Sequence, residues 1–343
     1  MARKIDIETR TLPKTLITGG TGFLGKNLIQ LLLDSGETGL RVLDLNSPSE
    51  LAEKVEFVQG SITDPKIVAL ALKGVKRVFH LAGKVSRNPS DKPVMYQVHV
   101  EGTRVLAQEA QKAGVERVVM SSTSGTIAVT EDGEEIPDET WPAPIRIIAN
   151  WPYYTSKLYQ EETAWREMKE GPELVMVNPS ILIGPGDATL SSSEDVLRFL
   201  AKDVPAIPPG GINFIDVRDA AAALPKAMEH GRSGERYLLG GPNWTFETFF
   251  GRLERMTKIK GPRLKLPDKL YEFAGKTMDH IYDKLGKTPP VDKISIEMGR
   301  YYWYLDCSKA EQELGFKARD PGETLYDTVS YLKEHFFGNG AFG

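Results

Sequence analysis

Residues 15–25 read TLITGGTGFLG, a short apolar run followed by glycines at 19, 22 and 25. The spacing predicts a strand, a tight turn and the opening of a helix. Gly19 allows the turn, Gly22 lets the backbone approach a ligand, and Gly25 lets helix and strand pack closely. The free amides and positive end of such a helix form a site for phosphate groups. Asp44 closes the next apolar run, where a carboxylate can accept from both hydroxyls of a ribose. Together these residues predict a dinucleotide cradle, and a glycine-rich turn without a ligand is the plain alternative.

Further along, apolar runs alternate with amphipathic segments. Leu16 to Thr18, Arg41 to Leu45, Val55 to Val58, Arg77 to Leu81, Arg117 to Ser121 and Leu174 to Asn178 are the expected strands. Leu24 to Leu33 and Tyr96 to Lys112 carry apolar residues at helical spacing between them. The order predicts an α/β fold, a doubly wound parallel Rossmann sheet with helices on both faces. After Asn178, proline and glycine become frequent and the alternation breaks down. A smaller C-terminal substrate-binding lobe is expected there, interleaved with the first. Its expected division is a dinucleotide-binding domain at 12–180, segments returning near 212–241, and a lobe formed mainly by 181–343. Asn213 to Val217 and Arg236 to Leu239 are the runs expected to rejoin the sheet. Pro267 to Leu285 spaces apolar residues along one helical face, which suits packing, with a substrate lid as the alternative.

The 343 residues can bury a large core, and a formal net charge of −4 without a basic stripe argues against nucleic acid. Cys307 is the one cysteine and cannot form an internal disulfide. No signal-peptide pattern or apolar run of membrane-spanning length is present, so a cytoplasmic location is expected. Residues 1–13 read as a flexible arm or a partner-binding edge. Nothing in the sequence suggests a metal site.

Tyr153 and Lys157 stand four apart at the start of an expected helix, Tyr153 to Met168, and so share one face. An ammonium beside a phenol favours the phenolate, which lets the pair exchange a proton with a substrate oxygen. The strand ending at Ser121 continues into Ser122, Thr123, Ser124, Gly125 and Thr126. Strand C-termini line the ligand crevice in this fold, and one hydroxyl there can hold a reacting oxygen. The others are expected to cap their own turn.

The chain resembles the extended short-chain dehydrogenases/reductases over nearly its whole length. The likeness is greatest to the branch of dihydroflavonol reductases, cinnamoyl-CoA reductases and 3β-hydroxysteroid dehydrogenases. It is carried by TGGTGFLG at 18–25, HLAG at 80–83, SSTSGT at 121–126 and YYTSK at 153–157. NPSILIGPGD at 178–187, NFIDVRDAA at 213–221 and SKAEQELGF at 308–316 extend it. The resemblance implies that Thr123 holds the reacting oxygen, Tyr153 is the general acid/base, and Lys157 lowers the tyrosine pKa and holds the nicotinamide ribose. It implies a cofactor site formed by Gly19, Gly22, Phe23, Leu24, Gly25, Asp44, Ser61, Ile62, Leu81, Ala82 and Gly83, with Tyr153, Lys157, Pro179 and Ser180 at the nicotinamide end. A homodimer is common among such proteins. Ser61 stands where relatives often have Asp, and His99 where they often have Asn, so His99 can donate the same hydrogen bond or simply pack.

Asp44 would repel a 2′-phosphate, and neither Leu45 nor Asn46 supplies a compensating arginine, so NAD is expected over NADP. The expected activity is an NAD-dependent oxidoreductase interconverting a secondary alcohol and a ketone on a partly apolar small molecule. A sugar or sugar-nucleotide epimerase and a non-catalytic NAD-binding protein are the alternatives. Dehydratases of the resembling family place Asp-Glu after the hydroxyl, whereas Ser124-Gly125 follow here. Epimerases commonly show VYG where this chain has Thr126-Ile127-Ala128.

Overall fold

In the structure, a computed structural model that describes residues 15–47, 54–267, 271 and 293–337, two sheets share the strands. The strands are β1 (Thr15–Thr18), β2 (Leu40–Asp44), β3 (Glu56–Gln59), β4 (Arg77–His80), β5 (Arg117–Ser121), β6 (Glu173–Pro179), β7 (Ile181–Ile183), β8 (Gly211–Asp216), β9 (Arg236–Leu239) and β10 (Asn243–Thr245). The helices are α1 (Phe23–Asp34), α2 (Pro65–Ala71), α3 (Lys92–Tyr96), α4 (Gly102–Ala113), α5 (Ile145–Ile148), α6 (Pro152–Glu167), α7 (Glu194–Ala201), α8 (Val217–His230), α9 (Phe246–Thr257), α10 (Lys293–Met298), α11 (Ser308–Leu314) and α12 (Pro321–Leu332).

The larger sheet runs β3-β2-β1-β4-β5-β6-β9, and every neighbouring pair is parallel. Parallel pairing needs a crossover between strands, which the intervening helices provide. β1 is buried along its whole length. It is covered on one face by Leu28 and Ile29 of α1 with Ala220, Ala223 and Leu224 of α8. On the other face lie Val105, Leu106 and Ala110 of α4, with Ala164 of α6 and Val68 of α2. This is the doubly wound Rossmann architecture. The chain reverses direction of strand addition between β1 and β4, so the C-terminal ends of those two strands flank the crevice.

The smaller sheet runs β10-β8-β7 and carries its own core of Ile183, Phe199, Phe214, Phe249, Phe250 and Leu325. Of the two runs expected to rejoin the main sheet, only Arg236–Leu239 does so, pairing with β6. The run at 213–217 instead pairs with β7 and β10. An apolar run does not name its partner, and Asn213 fixes the choice by bonding the Gly241 backbone on both its amide nitrogen and oxygen. The helix after that run, α8, does return to cover the main sheet.

The expected helix from Tyr96 to Lys112 is part of a longer one. Lys92–Tyr96 passes through a π turn at Gln97–Glu101 into Gly102–Ala113. The π turn buries His99. The expected packing helix at 267–285 falls outside the described residues except Pro267 and Tyr271, and residues 1–13 fall outside them altogether.

Candidate active site

The cradle follows from the glycines. Gly19 has φ +73°, and a Cβ there would stand 2.6 Å from the Ala82 nitrogen. A Cβ on Gly25 would stand 2.3 Å from the Gly19 carbonyl. At Gly22 a Cβ would meet a single atom, the Gly19 oxygen, in a tight contact at 3.3 Å. Gly22 precedes the first turn of α1, which has no acidic residue and no side-chain cap. The amides of Phe23 and Leu24 therefore lie in the first turn, among those that an anion can satisfy.

Asp44 ends β2 beside this turn. Its Oδ2 accepts from Thr21 N at 2.9 Å and its Oδ1 from Asn46 N at 3.3 Å. Two backbone amides thus hold the carboxylate at the rim. At the end of β4, Leu81 N donates to Thr18 O at 3.0 Å and Ala82 N to Thr18 Oγ1 at 3.3 Å. Gly83 sits against His99, where a Cβ would meet Nε2 at 3.1 Å. Ser61 bonds Thr63 through its hydroxyl, and Ile62 is buried against Gly102. Pro179 ends β6, and Ser180 N donates to Leu239 O at 2.8 Å. The Ser180 hydroxyl, just past the end of β6, is an orphaned polar atom, buried without a hydrogen-bond partner. Glycine cradle, rim carboxylate and orphaned hydroxyl all fit a dinucleotide.

Burial separates the hydroxyls after β5. Ser122, Ser124 and Thr126 are buried, whereas Thr123 is half-buried. Thr123 Oγ1 accepts from Gly125 N at 3.3 Å, capping the short 3₁₀ turn that follows and leaving its own hydrogen available to donate. Trp151 precedes α6, and Pro152 opens it, as a first helical position suits. Tyr153 and Lys157 follow on one face. Burial pushes the Tyr153 phenol up to about 12. Lys157 comes down to about 8, because burial outweighs the nearby charge of Glu161. The ammonium donates to Ser121 O at 2.8 Å and to the side-chain oxygen of Gln160.

His99 is bonded through both ring nitrogens. Nε2 lies 3.0 Å from Lys84 N, a donor, so Nε2 accepts and Nδ1 carries the hydrogen toward Ser156 Oγ at 2.8 Å. Burial, with the charge of Lys157, holds its pKa well below the usual range. Its ring stands edge-on to Tyr153, centroids 6.0 Å apart. It packs and orients rather than titrating.

Several residues of the site carried no signal in the sequence. Glu161 is almost wholly buried, accepting from Thr126 Oγ1 at 2.8 Å and Asn178 Nδ2 at 2.7 Å, with Arg236 Nη1 3.3 Å from its other oxygen. Arg87 and Asp195 form a two-pronged ion pair, 3.1 and 2.9 Å, between the loop after β4 and the first turn of α7. Both line a cavity of about 220 Å³ whose walls are Val204, Ile212, Phe249, Phe250, Met298 and Trp303. Trp303 packs on Tyr154, centroids 5.0 Å apart, and Tyr154 on Tyr153 at 5.1 Å. That Glu161 lies one residue past Gln160 and eight past Tyr153 was visible. Its partners on other strands were not.

A Rossmann sheet with this cradle and a Tyr/Lys helix against it defines a dinucleotide-dependent enzyme of the extended short-chain dehydrogenase/reductase type. The chain belongs to the NAD dependent epimerase/dehydratase family, whose profile matches residues 15–240. It is 32% identical to sterol demethylase protein B of Methylococcus capsulatus over 93% of this chain and 98% of that protein. It is 34% identical to a 3 beta-hydroxysteroid dehydrogenase/Delta 5→4-isomerase of Mycobacterium tuberculosis, over 95% of this chain and 90% of that one. Among solved structures, that of gox2253 superposes with a TM-score of 0.81 at 30% identity, covering 96% and 99% of the two chains. No described helix is long and apolar enough to cross a membrane.

Proposed function

We propose that this protein is an NAD-linked dehydrogenase or reductase that interconverts a secondary alcohol and a ketone on a partly apolar small molecule. The carrying observation is an apolar cavity walled in part by Trp303, the residue that packs on Tyr154, which in turn packs on Tyr153. Mostly apolar walls, in which Arg87 and Arg198 are matched in number by Asp195 and Asp203, suit a neutral, largely hydrocarbon substrate better than a charged nucleotide sugar. The names of the two relatives above, which refer to sterols and hydroxysteroids, support the same class.

In this reading Gly19, Gly22 and Gly25 with the amides of Phe23 and Leu24 hold the pyrophosphate, and Asp44 takes the adenine ribose. Ser61, Ile62, Leu81, Ala82 and Gly83 form the wall along the cofactor, and Pro179 and Ser180 bound the nicotinamide. A dinucleotide held by these residues would supply or accept the hydride at its nicotinamide ring. Thr123 donates its hydroxyl hydrogen to the substrate oxygen. Tyr153, protonated at neutral pH, hands its proton to that oxygen in reduction and recovers it in oxidation. Lys157 stands one turn along α6 from Tyr153 and Glu161 favours its charge, but burial leaves the Tyr153 phenol raised rather than lowered as the resemblance implied. The choice of NAD over NADP rests on the Asp44 carboxylate, which repels a 2′-phosphate.

The test is absorbance at the reduced-nicotinamide band with a panel of alcohols and ketones that includes sterol-sized ones. NADH formed in proportion to ketone supports the proposal. Product without net NADH would instead indicate an epimerase, and binding of NAD without turnover of any panel member would indicate a binding protein.

A further inference from the structure

The groups around the Lys157 ammonium form an ordered, fully buried chain. Gln160, with no exposed surface, offers Oε1 to Lys157 and places Nε2 3.0 Å from Thr103 Oγ1 and 3.4 Å from His80 Nε2. Thr103 Oγ1 lies 2.9 Å from His80 Nε2. His80 Nδ1 lies 2.8 Å from Oγ1 of Thr18, the residue before Gly19. The chain therefore runs from the ammonium on α6, through α4 and β4, to the strand that leads into the glycine turn.

Donor and acceptor capacity fixes its direction. An ammonium only donates, so Gln160 turns its oxygen to Lys157 and its amide hydrogens to Thr103. Gln160 Nε2, itself a donor, also faces His80 Nε2 at 3.4 Å, which makes that nitrogen an acceptor, so Thr103 gives its single hydroxyl hydrogen to it. His80 then carries its hydrogen on Nδ1 and donates to Thr18, whose oxygen also accepts from Ala82 N. The imidazole must be neutral for this to hold, and burial brings its pKa down to about 3. Hydrogen placement here is assigned from the network.

We infer that Gln160 is a positioning residue for Lys157: oriented by Thr103 and His80, its side-chain oxygen holds the ammonium at the Ser121 carbonyl and favours the protonated form. The other ionisable groups around the cluster are Glu161 on the same helix, which favours the charge, Tyr153 one turn back, and the neutral His80 and His99, both of which feel the Lys157 charge. Gln160 is the one among the residues bonded to Nζ whose acceptor belongs to a side chain. The consequence for turnover rests on the Tyr153 and Lys157 roles proposed above, but the effect on the ammonium itself does not.

The experiment is an NMR titration of the full-length protein with ¹³C-labelled lysine, the Lys157 signal being assigned by its loss in Lys157→Arg. Gln160→Met is expected to lower the Lys157 midpoint by about one pH unit, since a hydrogen bond to a charged group is lost. Gln160→Glu is expected to raise it by about one unit or more, through an opposite charge a few ångströms away. Should Gln160→Met fail to fold, Thr103→Val removes the orienting hydroxyl without touching Lys157, and a downward shift is again expected. A midpoint unchanged in a folded Gln160→Met or Thr103→Val protein overturns the inference. A midpoint that moves while the pH profile of turnover stays fixed upholds it and counts instead against the proposed part of Lys157 in the reaction.

Discussion

The Asp44 carboxylate accepts from the Thr21 amide at 2.9 Å, which ties the last residue of β2 to the glycine turn after β1. The residue proposed to read the ribose is therefore braced by the loop proposed to hold the phosphates. Replacing Asp44 by Ala is expected to relax the preference against NADP by roughly tenfold to a hundredfold, the worth of a charge-assisted hydrogen bond. Ratios of kcat/KM for the two cofactors measure this. Unchanged discrimination would mean that the ribose is read elsewhere.

The glycines separate into two kinds. Gly22→Ala has room for its methyl group apart from one contact at 3.3 Å, so the variant is expected to fold with a stability loss within about 1 kcal/mol. Its NAD affinity should nevertheless fall at least roughly tenfold, because the methyl group occupies the approach to the pyrophosphate. Gly25→Ala meets the Gly19 carbonyl at 2.3 Å and is expected to lose the fold of the turn itself. Thermal denaturation and NAD titration of both variants, side by side, test the contrast.

Tyr153→Phe removes the proton donor and keeps the ring that packs against His99 and Tyr154. Turnover should fall by roughly 10²–10⁴-fold, the range of general acid–base catalysis. NAD affinity should change little. A variant that retains most of its turnover would refute the acid/base role.

Glu161→Gln is expected to lower the pH at which Lys157 loses its proton, since the Glu161 charge raises that pKa. It also leaves Arg236 without its buried partner, at a cost of about 1–3 kcal/mol. The lysine titration and urea denaturation report these two effects independently.

Acid sensitivity follows from His80. Its pKa is lowered from 6.5 to about 3 in the folded protein, so the unfolded chain binds the extra proton between those values. The stability that His80 contributes is complete above pH 6.5 and falls as the pH drops toward 3, with a slope of about 1.4 kcal/mol per pH unit. His99, also lowered, acts in the same direction. Denaturant unfolding at pH 7, 6 and 5 measures the slope, and a flat profile across that window would contradict the assignment of a neutral, buried imidazole.

The cradle was legible because its information is local: Gly19, Gly22 and Gly25 act within a single turn, and Asp44 ends the very next apolar run. Tyr153 and Lys157 were legible for the same reason, four residues apart on one helix. The partners of Lys157 were not. Gln160 reads as an ordinary polar helical residue until β4 and α4 bring His80 and Thr103 against it. The Arg87–Asp195 pair joins residues 108 apart, and no spacing rule connects them. Strand β8 illustrates a further limit, since hydrophobic patterning identifies a buried strand but not the sheet in which it pairs.

Because the backbone leaves the large sheet after β6, builds two strands of the small one, and then comes back for β9, the part proposed to hold the substrate is stitched in rather than appended. A protein ending at residue 180 would lack both an edge strand and the α8 face that covers β1. Exchanging substrate preference with a relative therefore calls for transplanting at least two separate stretches, on either side of α8 and β9, while those two elements stay with the host.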